Sequence, residues 1–250
     1  MTEWLNLSQG EITALVAICF LAGVVRGFAG FALSALVMAV AVLFLAPIEL
    51  IPILWFLELT ASFLMVRQGF AQADRSVALG LLLGVVAGVP IGLSLTTSLP
   101  VETSRMIALA LILVLAGAQL ARIRIAFLET FAGVLVTGVE SGIVTGLANI
   151  GGMVVALFVL SRNSAPNVMR ATLVVYLFAS ALNSLVYLLL FGIMTQQSLM
   201  RALILIPPTA LGVIVGRAFF TERLSAYYRP FCLVLLLSLA AISLFRELLR

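Results

Sequence analysis

Residues 11–45 form an apolar stretch with no polar loop inside it. As one straight helix the stretch would run about 50 Å, at 1.5 Å per residue, against a hydrocarbon core of about 30 Å. The chain must therefore turn back or break near Arg26–Gly30. The same holds near Gly146–Gly152.

These two places copy each other. The first reads Gly23-Val-Val-Arg26-Gly27-Phe-Ala29-Gly30, the second Gly142-Ile-Val-Thr145-Gly146-Leu-Ala148-Asn149-Ile-Gly151-Gly152. A shift of 119 lays Gly23 on Gly142, Gly27 on Gly146, Ala29 on Ala148 and Pro47 on Pro166. A shift of 124 then lays Gly88 on Gly212, Gly92 on Gly216 and Arg105 on Arg229. Leucine coincidences are cheap in such a chain, but coincident Gly, Pro and Arg are not. The chain reads as a duplication, with a first membrane repeat at 1–122 and a second at 123–250, together one integral membrane domain. Interrupted segments at corresponding places of two halves point to a transporter's binding site.

Hydrophobic residues make up 64% of the chain and charged residues 10%, where soluble domains carry about 25% charged residues. The class is an all-α integral membrane protein. Ten apolar segments are expected, at about 11–25, 28–45, 49–66, 77–95 and 104–121, then 126–144, 147–161, 167–190, 199–217 and 229–246. Glu3 and Glu11, with no Lys or Arg before Arg26, argue against a cleaved signal peptide.

All 14 basic residues are arginines, and most sit in loops, where they set orientation rather than bind nucleic acid. If the chain turns back at each break, ten arginines fall on one side and four on the other. If each broken pair crosses once, the split is seven to six with Arg26 left out, which is no bias. The positive-inside rule therefore favours two inverted five-segment repeats, each opening with a glycine-broken or re-entrant helix pair, and both termini extracytoplasmic.

The second half resembles the sulfite exporter TauE/SafE family of membrane permeases. The resemblance lies in Gly142-x3-Gly146-x4-Gly151-Gly152, Pro166, Arg170-Ala171-Thr172 and a long apolar helix with Asn183. The first half has Gly27-x2-Gly30, Pro47 and Pro52 in the corresponding places, although Phe28 and Phe31 stand where the family has a denser glycine run. The resemblance implies a cell inner membrane transporter that exports sulfite, sulfonates or related small anions. It brings Arg170, Thr172 and Asn183 into the candidate site.

The breaks themselves suggest anion chemistry. A helix that starts at membrane depth presents unpaired N–H groups and a positive dipole end, and glycine lets an anion approach them. Gly27, Gly30, Asn149, Gly151 and Gly152 are the candidate substrate-binding residues on this account. The same glycines could equally allow close helix packing. Arg26 reads either as an oxyanion ligand through its planar fork or as a loop charge that sets orientation, and Arg170 has the same two readings. Glu58 and Glu140 stand inside apolar segments. Each reads as a proton-coupling group, as a counter-charge to Arg26 or Arg170, or as a water-exposed helix position. Under the 119 shift Glu58 falls on Leu177, so this acid is not part of the duplicated core. The eighth segment carries a polar stripe, Tyr176, Ser180, Asn183, Ser184 and Tyr187, which is expected to face the protein interior.

No catalytic residue, cofactor or metal site is expected. The chain has no His, and Cys19 and Cys232 lie in apolar runs without ligand spacing. The expected partners are a small anionic substrate, the bilayer and protons as a coupling ion. An uncoupled anion channel and a non-transporting membrane scaffold are the competing readings.

Overall fold

The computed structural model describes residues 6–121, 130–161, 165–219 and 222–249. Arg122, Arg124, Arg162 and Arg250, which enter the orientation argument, lie outside the described residues, as does the boundary at 122/123. Ten helices are described: α1 (Gln9–Ala29), α2 (Leu33–Ala41), α3 (Pro47–Gln72), α4 (Arg75–Ser98), α5 (Val101–Leu120), α6 (Phe131–Ala148), α7 (Gly151–Ser161), α8 (Pro166–Leu190), α9 (Gln196–Ala218) and α10 (Glu222–Leu248). No strand occurs among the described residues. Eight of these helices are long and apolar enough to cross a membrane. The other two, α2 and α7, are about 13 and 16 Å long and too short to cross a core of about 30 Å.

Local signals account for several helix ends. Ser8 and Glu11 form a capping box at the start of α1, and Asp74 and Thr130 cap α4 and α6 through their side chains. Pro47 and Pro166 open α3 and α8 in the first turn, where a missing N–H costs nothing.

Helix directions follow from side-by-side contacts. Gly23 lies against Thr209 and Gly212, and Gly27 against Val213 and Arg217, so α1 and α9 run the same way. Glu49 meets Arg201 and Leu64 meets Arg217, so α3 also runs with α9. Since α1 and α3 are parallel, the chain between them returns through α2. On the other side of the molecule, Gly84, Gly88 and Gly92 of α4 meet residues 135–146 of α6 in increasing order, so these two are parallel as well.

Both parallel pairs are glycine seams. A Cβ at Gly27 would overlap the Val213 carbonyl, and one at Gly216 would overlap Val24. The α4–α6 seam repeats this with Gly88 against Val139 and Gly138 against Leu81. Residues four apart on each helix let the backbones touch, the small-xxx-small contact that replaces hydrophobic driving force in lipid.

The two short helices form the core. Leu33 through Ala39 of α2 are all buried, as are Met153, Val155, Ala156 and Phe158 of α7. A helix apolar all round belongs in an interior. The longer helices turn Leu83, Val114, Leu211 and Phe245 outward, as lipid-facing surfaces do.

Candidate functional site

The first break lies at Gly30–Ala32, slightly beyond the position expected from the glycines. Gly30 closes α1 in the left-handed region (φ 84°), and Ala32 precedes α2 in the same region (φ 72°). Gly23 and Gly27, which mark the break in sequence, are inside α1 and serve the seam with α9. The second break is at Asn149, also left-handed (φ 56°), with Gly142 and Gly146 inside α6. Gly30 and Asn149 coincide under the shift of 119.

A buried ionic cluster fills the first break. Arg26, fully buried in the last turn of α1, donates from Nε to Glu58 Oε2 at 3.1 Å and from NH2 to Ser62 Oγ at 2.9 Å. Its NH1 donates to the Gly30 carbonyl, which ties the guanidinium to the break itself. Glu58 Oε1 accepts from Ser34 Oγ at 2.9 Å and from the Ser34 amide at 3.3 Å, in the first turn of α2. Glu58 is 8% exposed and sits on α3 about 16 Å beyond Pro47 and about 13 Å before Arg67. Of the readings open for Arg26 and Glu58, the counter-charge one describes this geometry. A buried pair of this kind needs its remaining donors and lone pairs satisfied, and Gly30, Ser62 and Ser34 do so.

The second break joins the first. Asn149 Nδ2 donates to Ser34 Oγ at 3.2 Å. Behind it, Ser141 Oγ donates to the Gly151 carbonyl at 2.7 Å and lies 2.6 Å from the hydroxyl of fully buried Tyr176. Gln119 of α5 donates to the Met153 carbonyl at 3.0 Å, and its Oε1 is buried with no hydrogen-bond partner among the described residues.

Arg170 approaches from the other side. It donates from NH2 to the Gly27 carbonyl and packs along Gly30, where an added Cβ would come within 3.0 Å of its Cγ. It also lines an open cavity of about 370 Å³ between α3 and α8, together with Met65, Gly69, Gln72, Asn167 and Val174. Arg170 thus links this cavity to the Gly30 break.

The remaining candidates are more dispersed. Thr172 donates to Val168 and accepts from the Asp74 amide at 3.0 Å, so it braces the α3–α4 junction. Asn183 has a buried Nδ2 with no hydrogen-bond partner among the described residues, near the place where Trp55 Nε1 donates to the Ala181 carbonyl. Glu140 is on the exposed face of α6 and does not join Arg26 or Arg170. Gly151 abuts Ser141 and Thr145, and Gly152 abuts Leu177, so a side chain at either would meet protein. The polar stripe of α8 does face inward: Tyr176, Ser180 and Ser184 are buried.

Sequence reasoning missed Ser34 and Ser62. Ser62 has a legible signal, since it stands four residues after Glu58 on the same face of one helix. Ser34 has none, because its role depends on where α2 begins.

The profile described as Sulfite exporter TauE/SafE matches residues 15–244 of the 250-residue chain. No curated protein and no solved structure matches the chain. That family is one of membrane transporters rather than enzymes. A polytopic helical chain with two internal breaks, matched over nearly its whole length, belongs to the sulfite exporter TauE/SafE family.

Proposed function

We propose that the protein is a secondary transporter that exports small sulfur oxyanions or organosulfonates, such as sulfite or sulfoacetate-like ions, across the cell inner membrane. The anion enters through the Arg170 cavity and binds between the Gly30 and Asn149 breaks, with Arg26, Arg170 and the first turn of α2 as its donors. One observation carries this reading: a fully buried arginine at a broken helix, joined to the second break by three successive hydrogen bonds through Glu58 and Ser34. Charge inside a membrane is costly and marks ion pathways, substrate sites and proton relays.

Inverted five-segment repeats support the same reading. The two glycine seams are related by the sequence shifts, since Gly23 and Gly27 map onto Gly142 and Gly146 while Gly88 and Gly92 map onto Gly212 and Gly216. The arginine bias puts the cavity at the cytoplasmic side and both termini outside. Protons are the coupling ion. Glu58 is the acid in contact with the site, and Glu140, exposed at mid-helix, is the other candidate.

Purified protein in liposomes loaded with radiolabelled sulfite or isethionate tests this. Accumulation against a gradient, driven by an imposed pH difference, is expected. Downhill flux alone would identify an uncoupled channel or facilitator. No flux of either anion from correctly folded protein would leave a scaffold and overturn the proposal.

A further inference from the structure

We infer that Glu49 and Arg201 form the outer gate of the transport path, a salt bridge that parts to let the anion leave. The inference rests on the anion-transport reading and assigns its release step. Its starting point is that α3 meets polar partners at three levels. Near its C-terminal end, Met65, Gly69 and Gln72 line the open cavity with Arg170. In its middle, Glu58 and Ser62 hold Arg26. Near its start, Glu49 accepts from Arg201 of α9 at 2.7 Å. A second cavity lies beside this last pair, lined by Leu7, Leu15, Val37, Leu50, Ile53 and Arg201.

The two cavities stand at opposite ends of one path. From Leu50 to Gly69 is about 28 Å along the helix, close to the thickness of the hydrocarbon core. The Arg26 cluster lies between them, since Val37 is three residues beyond Ser34 on α2 and Ile53 five before Glu58 on α3. Their sizes differ sharply. The cavity at Arg170 has about 370 Å³, and the one at Arg201 about 20 Å³, room for about one water. Buried Val37, Leu50 and Ile53 close the small one with apolar side chains. The path is therefore open at one end and shut at the other.

The helix tips that carry the salt bridge are built to move. Pro52 stands inside α3 three residues after Glu49, and Pro207 and Pro208 stand inside α9 just beyond Arg201. A proline gives no N–H to the carbonyl four residues back and weakens the helix there. Each tip is thereby set off from the rest of its helix. The pair itself is the kind that can open. The Arg201 side chain is 5% exposed and that of Glu49 is 47% exposed. A pair with one member at the surface is held weakly, whereas separating a fully buried one such as Arg26 and Glu58 is far more costly. When the tips part, the chamber widens, and Arg201 remains in its wall. The departing anion then meets a guanidinium here, as it meets Arg170 at the other end.

Two measurements test the gate, both in a background with Cys19 and Cys232 replaced by Ala. First, Leu50→Cys in the detergent-solubilised protein is reacted with a charged methanethiosulfonate. Reaction should be slow with the salt bridge present and about fivefold faster, or more, when Glu49→Gln or Arg201→Gln removes it. Equal rates overturn the inference. Second, the Glu49→Cys/Arg201→Cys protein is bridged with a bifunctional methanethiosulfonate and reconstituted into liposomes. Isethionate is the flux probe, since sulfite would cleave the linker's disulfides. Bridging should lower isethionate flux at least about tenfold, and reductant should restore it. A static brace would tolerate the bridge, so equal flux before and after bridging also overturns the inference while leaving transport intact. If the unbridged double variant moves no isethionate, the Leu50→Cys rates decide alone. If the wild-type protein moves neither isethionate nor sulfite, the functional reading fails and this inference with it.

Discussion

Removing the charge of Arg26 alone should damage the protein more than removing both charges of its pair. In Arg26→Gln, Glu58 keeps the Ser34 amide and hydroxyl but loses its counter-charge in a site where little water reaches it. Breaking a buried pair from one side costs about 3–5 kcal/mol, because the charge left behind is uncompensated. Glu58→Gln strands the Arg26 guanidinium instead, at a cost in the same range. The double Gln variant leaves no charge, so its loss falls to two or three hydrogen bonds, about 1–3 kcal/mol in all. The two sites should therefore couple by at least about 2 kcal/mol in a double-mutant cycle. Arg26→Lys keeps the charge but cannot reach Glu58, Ser62 and Gly30 at once, and should fall between wild type and Gln. A convenient reporter lies close by. Trp55 is three residues before Glu58, packs edge-on against Phe56 and bonds across to α8, so its fluorescence during SDS titration follows this region. A double variant that loses the sum of the two single losses would refute the pairing and return Arg26 to a role independent of Glu58.

Seam glycines should be intolerant of even one methyl group. Gly88→Ala and Gly216→Ala should each lower stability by about 1–3 kcal/mol and reduce the monodisperse fraction in detergent, whereas Gly10→Ala and Gly117→Ala, with nothing within 4 Å, should not; similar behaviour of the two groups would remove the seams as close contacts. Single cysteines at Asn6 and Gln72, in a background with Cys19 and Cys232 replaced by Ala, should differ in labelling by an impermeant maleimide on intact cells. Asn6 should react and Gln72 should not; the reverse pattern would invert the orientation, and equal reaction would refute the five-plus-five arrangement.

The all-helical membrane class was legible because it follows from length and hydropathy, and ten apolar segments were expected where ten helices are described, eight of them long and apolar enough to cross a membrane. Gly30 and Asn149 leave the helical region within the stretches expected to break, but most of the glycines that marked those stretches do not. Glycines four apart signal helix interruption and helix contact equally well, and at Gly23, Gly27, Gly142 and Gly146 contact wins. The residues that do leave the helical region, Gly30, Ala32 and Asn149, include an alanine that no pattern flags. The mutual pairing of Arg26 with Glu58 was one of several open readings, since residues on different helices reveal no distance in sequence. Gly151, read as an opening for a ligand, instead fits against Ser141 and Thr145, so its replacement by Val would report on the α6–α7 contact before it reported on any anion.

The likeness of the two halves under these shifts also explains why the chemistry was hard to read from it. Under the shift of 119 Gly30 keeps its left-handed counterpart in Asn149, but the charged groups have none. Arg26 falls on Thr145, Ser34 on Met153, Glu58 on Leu177 and Ser62 on Ala181. The first half therefore brings a guanidinium and a carboxylate to the junction, while the second brings the Arg170 guanidinium on the Gly27 carbonyl and, through Asn149, Ser141, Thr145 and Tyr176, an amide, hydroxyls and a phenol. Two copied breaks frame the junction, and unmatched residues supply its charge. An ion that bound between two identical breaks would meet the same donors from either side. Here one side offers a full positive charge already neutralised by a carboxylate, and the other offers the Asn149 amide together with the Arg170 guanidinium on the Gly27 carbonyl. The carboxylate that balances Arg26 comes from the first half, and the second half completes the junction with Arg170 on the Gly27 carbonyl and Asn149 on Ser34.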